Sequence, residues 1–313
     1  MKPLARDFVE THEGLVFAVV TSSFQDDLVL GFLRYIPSAK GLRKVGTDEA
    51  NAFLRKHHPR YLHHCKRRDA HLHAIPAHAV AVHHRPRERL TALRQRHPVD
   101  EVEAGLHRLV GLLVAEGIDA SAIGVTGSVL IGGQHPASDL DLVVYERETF
   151  LRLRAAVLRL MADGRLHSLN DGDWLDAYSR RGCALTLDEF LRHERRKGNK
   201  GMVDGRKFDI ALVTESAHAE PETGWTKQGQ CRIEARIADD RHAFDHPARY
   251  GLDHPEIVEL YSFTHTYVGQ AFSGERVEAE GYLEVAPDGR KRLIVGSSRE
   301  APGEYLRVLW EER

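Results

Sequence analysis

GVTGSVLIGGQHPASDLDLVVYE, residues 124–146, sets two strand-like apolar runs around a glycine-rich interval, and its second run carries Asp139 and Asp141 two positions apart. On a strand, residues i and i+2 point to the same side, so the two carboxylates project together while Leu140 and Leu142 face the opposite way. Carboxylates that close repel one another, and keeping both ionised calls for a cation between them. An oxygen-only donor set suits a hard ion, Mg²⁺ or Mn²⁺, which takes few protein carboxylates and fills its shell with water and phosphate oxygens. A third acid, Asp209, interrupts the apolar run Phe208-Asp209-Ile210-Ala211-Leu212, where an unpaired charge is costly. Upstream, Gly127-Ser128 follows the strand-like IGVT. The glycine lets the backbone approach a ligand, and the serine hydroxyl and neighbouring amides suit phosphate oxygens. The expected site therefore has phosphates on Gly127 and Ser128, metal at Asp139 and Asp141, and Asp209 on the side from which a hydroxyl attacks.

Outward from this stretch, Val99, Val102, Leu106, Leu109, Val110 and Leu113 recur at helical spacing up to Gly117. A second helical pattern runs from about Glu148 to Met161, a capping box at Thr186-Leu187-Asp188-Glu189 opens a third, and KFDIALV (207–213) reads as a strand. This alternation predicts an α/β or α+β domain. Before it, LVFAVV (15–20) and LVLGFL (28–33) read as strands and DEANAFLRKHHPRYL as a helix, a small α+β unit. Arg85, Arg87, Arg89, Arg94 and Arg96 then form a basic helix or arm. Beyond Pro221 short extended runs and the turn Pro287-Asp288-Gly289 predict a small β domain, either a barrel of the oligonucleotide-binding kind or a short sandwich. The expected domains are 1–90, 91–217 and 218–313, of overall α+β class.

At 42% hydrophobic and 29% charged, the 313 residues have the balance of an ordinary globular chain with room for two or three cores. A net charge of −2 gives no global attraction to nucleic acid or anionic membrane, so any such partner must meet a local patch. The three cysteines, Cys65, Cys183 and Cys231, form no C-x-x-C, which argues against a disulfide framework or a four-cysteine zinc site and points to a reducing cytoplasm. MKPLARDFVETHEG lacks the apolar core of a signal peptide, and no run nears the roughly 18 apolar residues of a membrane span.

One local patch is LRHERRKGNKGMVDGRKF, holding Arg192, Arg195, Arg196, Lys197, Lys200, Arg206 and Lys207. It reads either as a loop that closes over ligand on Gly198 and Gly201, with Lys197 and Lys200 on phosphate, or as a solvated helix end. Ten His and Cys residues between 57 and 84 invite a zinc site, but they follow no ligand spacing and arginines interleave them; with 20 histidines in the chain, composition explains them better. Tyr261, Phe263, Tyr267 and Phe272 fit a base-stacking platform, though alternating strand aromatics are more often core.

Gly127-Ser128, an interval of ten residues, Asp139-Leu140-Asp141-Leu142 and the distant Asp209 resemble the signature of polymerase-β-like nucleotidyltransferases. Gly132 and Ser138, just ahead of the first acid, resemble the minimal members, whereas Ile131 stands where many of those have arginine. The resemblance covers about residues 120–215. It implies a mixed-sheet catalytic domain and a two-metal mechanism in which an acceptor hydroxyl attacks the α-phosphate of a nucleoside triphosphate. Asp139 and Asp141 would bind both ions, and Asp209 would bind one and help deprotonate the acceptor. Gly127, Ser128 and Ser138 would contact nucleotide. The basic segments and the expected barrel favour an RNA or DNA end as acceptor; nucleotidylation of a protein or small molecule, and a non-catalytic nucleic-acid or nucleotide-binding protein, are the alternatives.

Overall fold

The computed structural model describes residues 2–21, 27–39, 41–65, 70–214, 224–296 and 301–310. They form a mixed α+β protein in two units, Met1–His167 with Gly201–Ala219, and Ser168–Lys200 with Glu220–Arg313. The expected boundary at 217/218 lies outside the described residues, and the expected regions 1–90 and 91–217 share the first unit apart from residues 168–200.

The first unit contains two sheets. Strands β1 (Phe8–Thr11), β2 (Val16–Val19), β3 (Leu28–Ser38), β4 (Gly41–Lys44), β5 (Leu62–Cys65), β6 (Ala70–Pro76) and β7 (Val80–His84) pair antiparallel in the order β5-β6-β3-β2-β1-β7, with β4 folded back on β3. β2 is apolar throughout because both its faces are covered. Phe17 and Val19 join Val9, Leu33 and Ile75 against Ala50 and Leu54 of helix α1 (Thr47–His57). Val16 lies with Phe8 and Tyr35 against Leu130 and Ile131.

The histidine-dense segment is sheet. His73 is buried; its Nδ1 accepts from the Leu33 amide at 2.8 Å and its Nε2 meets Asn51 Oδ1 at 2.9 Å. Burial pushes its pKa down to about 4, so it is neutral. His83 holds Asp7 at 2.7 Å and His84 holds Glu10 at 3.1 Å, tying β7 to the β1 edge.

Of the expected basic helix or arm, the structure has the helix, α2 (Pro86–Arg94). Leu90 and Leu93 are buried, Arg87 lies 3.9 Å above the Tyr145 ring, Arg89 Nε donates to the Val129 carbonyl at 3.0 Å, and Arg85 pairs with Glu88. The arginines brace the fold, which a charge pattern alone does not reveal.

The second sheet orders β10 (Lys200–Val203), β11 (Arg206–Leu212), β9 (Leu140–Val144) and β8 (Ile123–Val125); β9 and β11 run parallel, β8 and β9 antiparallel. Helices α3 (Glu101–Ala115) and α5 (Arg147–Ala162) pack on β9 and each other, burying Leu106, Leu109, Leu113, Phe150, Leu153 and Val157. α3 starts at the Asp100 cap, which accepts from the Glu103 amide at 2.8 Å, and α4 (Gly127–Leu130) is one turn after β8.

The second unit holds helices α6 (Asp171–Arg181) and α7 (Leu187–Arg196) and strands β12 (Thr226–His242), β13 (Ala248–Asp253), β14 (Ile257–Ser262), β15 (Arg276–Val285), β16 (Lys291–Val295) and β17 (Tyr305–Val308). The order is β12-β13-β14-β16-β15-β17, and β12 also pairs with β15, so the ladder returns to its first strand. Among the described pairings of this sheet, β14–β16 is parallel and the rest are antiparallel. The capping box forms as read: Glu189 N–H donates to Thr186 Oγ1 and the Thr186 amide to Glu189 Oε2. Tyr261 and Tyr267 are core, Tyr267 Oη donating to the Glu304 carbonyl at 3.0 Å. Among the described residues no helix is long and apolar enough to cross a membrane.

The run 192–207 is not a loop. It is the last turn of α7 followed by the hairpin β10–β11, whose turn residues Asp204 and Gly205 have φ of +47° and +76°. A Cβ on Gly201 would lie 2.8 Å from both the His167 carbonyl and the Phe208 ring, so that glycine answers to packing rather than to movement.

Candidate active site

The acidic constellation follows from the alternation in β9 and β11. Leu140, Leu142, Phe208 and Ile210 are buried, and the intervening Asp141 and Asp209 point to the opposite face. Asp141 and Asp209 are register partners across the parallel pair, so their Cβ atoms stand side by side, and Asp139 lies one residue before β9 on the same side. Further along this face, Val143 and Ala211 pack with Leu4 and Ala5.

Asp141 is half-buried and shares its face with Asp209 and Asp139. Burial first, then Asp209, push its pKa up from 3.8 to about 6; Arg6 and Lys44 pull the other way. Gly127 explains itself at this point. Its φ is +66°, and a Cβ there would overlap Asp141 Oδ2 and lie 3.1 Å from Cγ. The backbone is held against that carboxylate by the Thr126 amide, which donates to the Asp141 carbonyl at 2.8 Å, and by Thr126 Oγ1, which donates to the Arg6 carbonyl at 2.7 Å. Ser128 is half-exposed beside it, and among the described residues its hydroxyl has no partner.

The approach to Asp139 is fixed by a turn. Ser138 N–H donates to the His135 carbonyl at 2.8 Å, Ser138 Oγ accepts from the His135 amide at 3.0 Å, and Ser138 is buried. Arg206 Nη1 reaches across from β11 to donate to the carbonyls of Ser138 at 2.7 Å and Pro136 at 2.9 Å. Ser138 thus serves the turn, and Arg206, which the sequence offered only as one cation among several, positions Asp139.

Lys197 and Lys200 belong to the second unit with Glu194. Lys197 is buried, pairs with Glu194 and donates to the Thr266 carbonyl at 2.8 Å; Lys200 pairs with the other oxygen of Glu194. Burial alone would raise the Glu194 pKa, but the two lysines hold it below the ordinary carboxylate range. Phosphate contacts by Lys197 and Lys200 are therefore not carried forward.

Among the described residues no three His, Cys, Asp or Glu side chains close round a point as a ready-made metal site. Mg²⁺ asks for less, one or two carboxylates with water and phosphate oxygens completing its octahedron. Asp141 beside Asp209 fits that demand.

An uncharacterized protein of Methanocaldococcus jannaschii, MJ1086, is 33% identical to this sequence over 338 aligned positions, covering 98% of this chain and 99% of the relative. The chain belongs to the MJ1086 family. Coverage at that level takes in both units of this chain. No family model and no solved structure matches the sequence.

Proposed function

We propose that this member of the MJ1086 family is a metal-dependent nucleotidyltransferase of the polymerase-β-like kind, with Asp139, Asp141 and Asp209 as its catalytic carboxylates. One observation carries the reading: Asp141 and Asp209 are register partners on parallel strands, with Gly127 pressed against Asp141 and Ser128 half-exposed beside it. Three carboxylates crowded on one face of a sheet serve no packing purpose.

In the reaction an acceptor oxygen bonds the α-phosphorus of a nucleoside triphosphate. The bond from that phosphorus to the bridging oxygen breaks with its electron pair, and pyrophosphate leaves. Asp209 takes the acceptor proton, Ser128 and the Gly127 backbone hold phosphate oxygens, and Asp139 and Asp141 would hold the divalent ions. Mg²⁺ or Mn²⁺, when bound there, supplies charge neutralisation at the reacting phosphate and acidifies the acceptor hydroxyl.

A nucleic-acid end is the preferred acceptor, with support from the second unit. Its strand path, in which β14 and β16 run parallel and β12 pairs with both β13 and β15, supports reading this unit as an oligonucleotide-binding barrel. On α7, Asp188, Leu191, Arg192, Arg195 and Arg196 line a groove of about 480 Å³, and Arg192 lies 3.9 Å over the Trp310 ring, a flat cationic surface suited to bases and phosphates.

The test incubates the protein with Mg²⁺ or Mn²⁺, each α-labelled nucleoside triphosphate, and pools of RNA, single-stranded DNA, protein and small metabolites. Label is expected in a polynucleotide pool, with acceptor KM rising about tenfold or more between 50 and 200 mM salt. Label in protein or metabolites, insensitive to salt, replaces the acceptor; label in none of them sinks the enzyme reading.

Gly127→Ala is a further check. The left-handed φ alone costs about 1–2 kcal/mol of stability in a denaturant melt, and displacing Asp141 is expected to lower transfer about a hundredfold. Near-normal turnover in this variant would contradict the placing of the nucleotide against residue 127.

A further inference from the structure

The charges at the acidic site do not balance even with Lys207, which its own sheet sets two positions before Asp209 on the same face. Three carboxylates and a triphosphate bring about seven negative charges against about four positive ones from two divalent ions. The arginines nearest the glycine turn are committed elsewhere: Arg206 to the carbonyls of Pro136 and Ser138, Arg89 to that of Val129, and Arg87 to the Tyr145 ring.

The N-terminal sheet lies against this same place. Its Phe8, Val16 and Tyr35 pack on Leu130 and Ile131, directly after Gly127-Ser128. Leu4 and Ala5 pack along the acidic face of β9 and β11, on Val143 and Ala211. The next residue, Arg6, is pinned there by its backbone: its amide donates to the Val19 carbonyl at 2.9 Å, its carbonyl accepts from Thr126 Oγ1, and its φ is +73°, a conformation that side chains rarely adopt. Lys44, at the end of β4, is the register partner of Tyr35, is exposed, and makes no ion pair among the described residues. Both cations hold the Asp141 carboxyl lower than its burial and its acidic neighbours would leave it.

We propose that the N-terminal sheet supplies the cationic half of the nucleotide site, Arg6 and Lys44 binding the β- and γ-phosphates of the triphosphate and the pyrophosphate that leaves. This rests on the nucleotidyltransferase reading and gives the N-terminal sheet a substrate-binding task. It also accounts for Ile131 in a turn where an arginine would serve phosphate: Ile131 packs against the sheet that carries the charge instead. Arginine offers a planar fork to phosphate oxygens and lysine a point charge, so the two divide a polyphosphate between them without competing for one oxygen.

The experiment compares wild type, Lys44→Ala, Arg6→Gln and Asp139→Ala/Asp141→Ala for binding of a nucleoside triphosphate and of the corresponding monophosphate, each with Mg²⁺, by calorimetry. Inorganic tripolyphosphate serves as competitor, and a thermal melt accompanies each variant. Lys44 is exposed on a short edge strand, so its truncation leaves the fold intact even should Arg6→Gln disturb its turn. The expected result is at least a tenfold loss of triphosphate affinity in Lys44→Ala and Arg6→Gln, less than a twofold change for the monophosphate, and competition by tripolyphosphate in wild type. Unchanged triphosphate affinity in Lys44→Ala, with wild type binding and transferring normally, overturns this assignment and leaves the transferase standing. Equal losses for both nucleotides overturn it as well. A wild type that binds no nucleotide removes both readings together.

Discussion

Asp141→Asn is expected to do two opposite things: lower nucleotidyl transfer by about 10²–10³-fold or more, and make the metal-free protein more stable at neutral pH. The native pKa of Asp141 stands near 6 against 3.8 for the free side chain, so the folded state binds its proton more tightly than the unfolded chain does. Below about pH 4 the carboxyl is protonated in both states and the penalty is absent. It grows as pH rises from about 4 to 6 and is complete above, reaching about 3 kcal/mol at roughly 1.4 kcal/mol per pH unit. The stability difference between Asp141→Asn and wild type should follow that window in chelator-treated protein, measured by urea melts. Added Mg²⁺ should raise the wild-type midpoint and leave the variant's alone. A variant less stable than wild type at pH 7 without metal would mean that Asp141 is already satisfied by protein groups, and the metal reading would lose its electrostatic support.

The second large effect is structural and lies in the other unit. Glu194 is buried and accepts both Lys197, itself buried, and Lys200. Glu194→Ala strands an ammonium away from water, and the expected cost is about 3–5 kcal/mol. Replacing Glu194 and Lys197 together by Leu and Met removes the uncompensated charge and should recover most of that loss. A loss under about 1 kcal/mol in Glu194→Ala would show that Lys197 finds water or another partner. Because Glu194 is held below the ordinary carboxylate range, this contribution is present at neutral pH and fades as the solution is acidified through and below that range.

The acids were legible because β9 and β11 alternate: an aspartate flanked by buried leucines or by phenylalanine and isoleucine is visible without a structure. What no single strand reveals is the register, and it is the pairing of β9 with β11 that sets Asp141 opposite Asp209. Cations misled for the converse reason. Arg87, Arg89, Arg206 and Lys197 look alike in a sequence, yet one stacks on a tyrosine, two bind carbonyls and one is buried on a glutamate. The hairpin β10–β11 carried its signal in Asp204-Gly205, which the surrounding charge obscured. The strands β5 to β7 gave little pattern because histidine serves equally well in a core and on a surface. Arg6 and Lys44 lie far before the acids in the chain, and only the packing of Phe8 and Tyr35 on Leu130 brings them near.

Following both ends of the triphosphate at once is the most direct test of nucleotidyl transfer by these carboxylates. Wild type and Asp139→Ala/Asp141→Ala would be incubated with Mg²⁺, acceptor, and the same nucleotide carrying either an α- or a γ-label. The predicted result is α-label bound covalently to acceptor and γ-label released as pyrophosphate in equal amount, with both absent in the double variant. Transfer of the γ-label, release of free phosphate, or unchanged transfer in the double variant would each contradict the assignment of these carboxylates to nucleotidyl transfer.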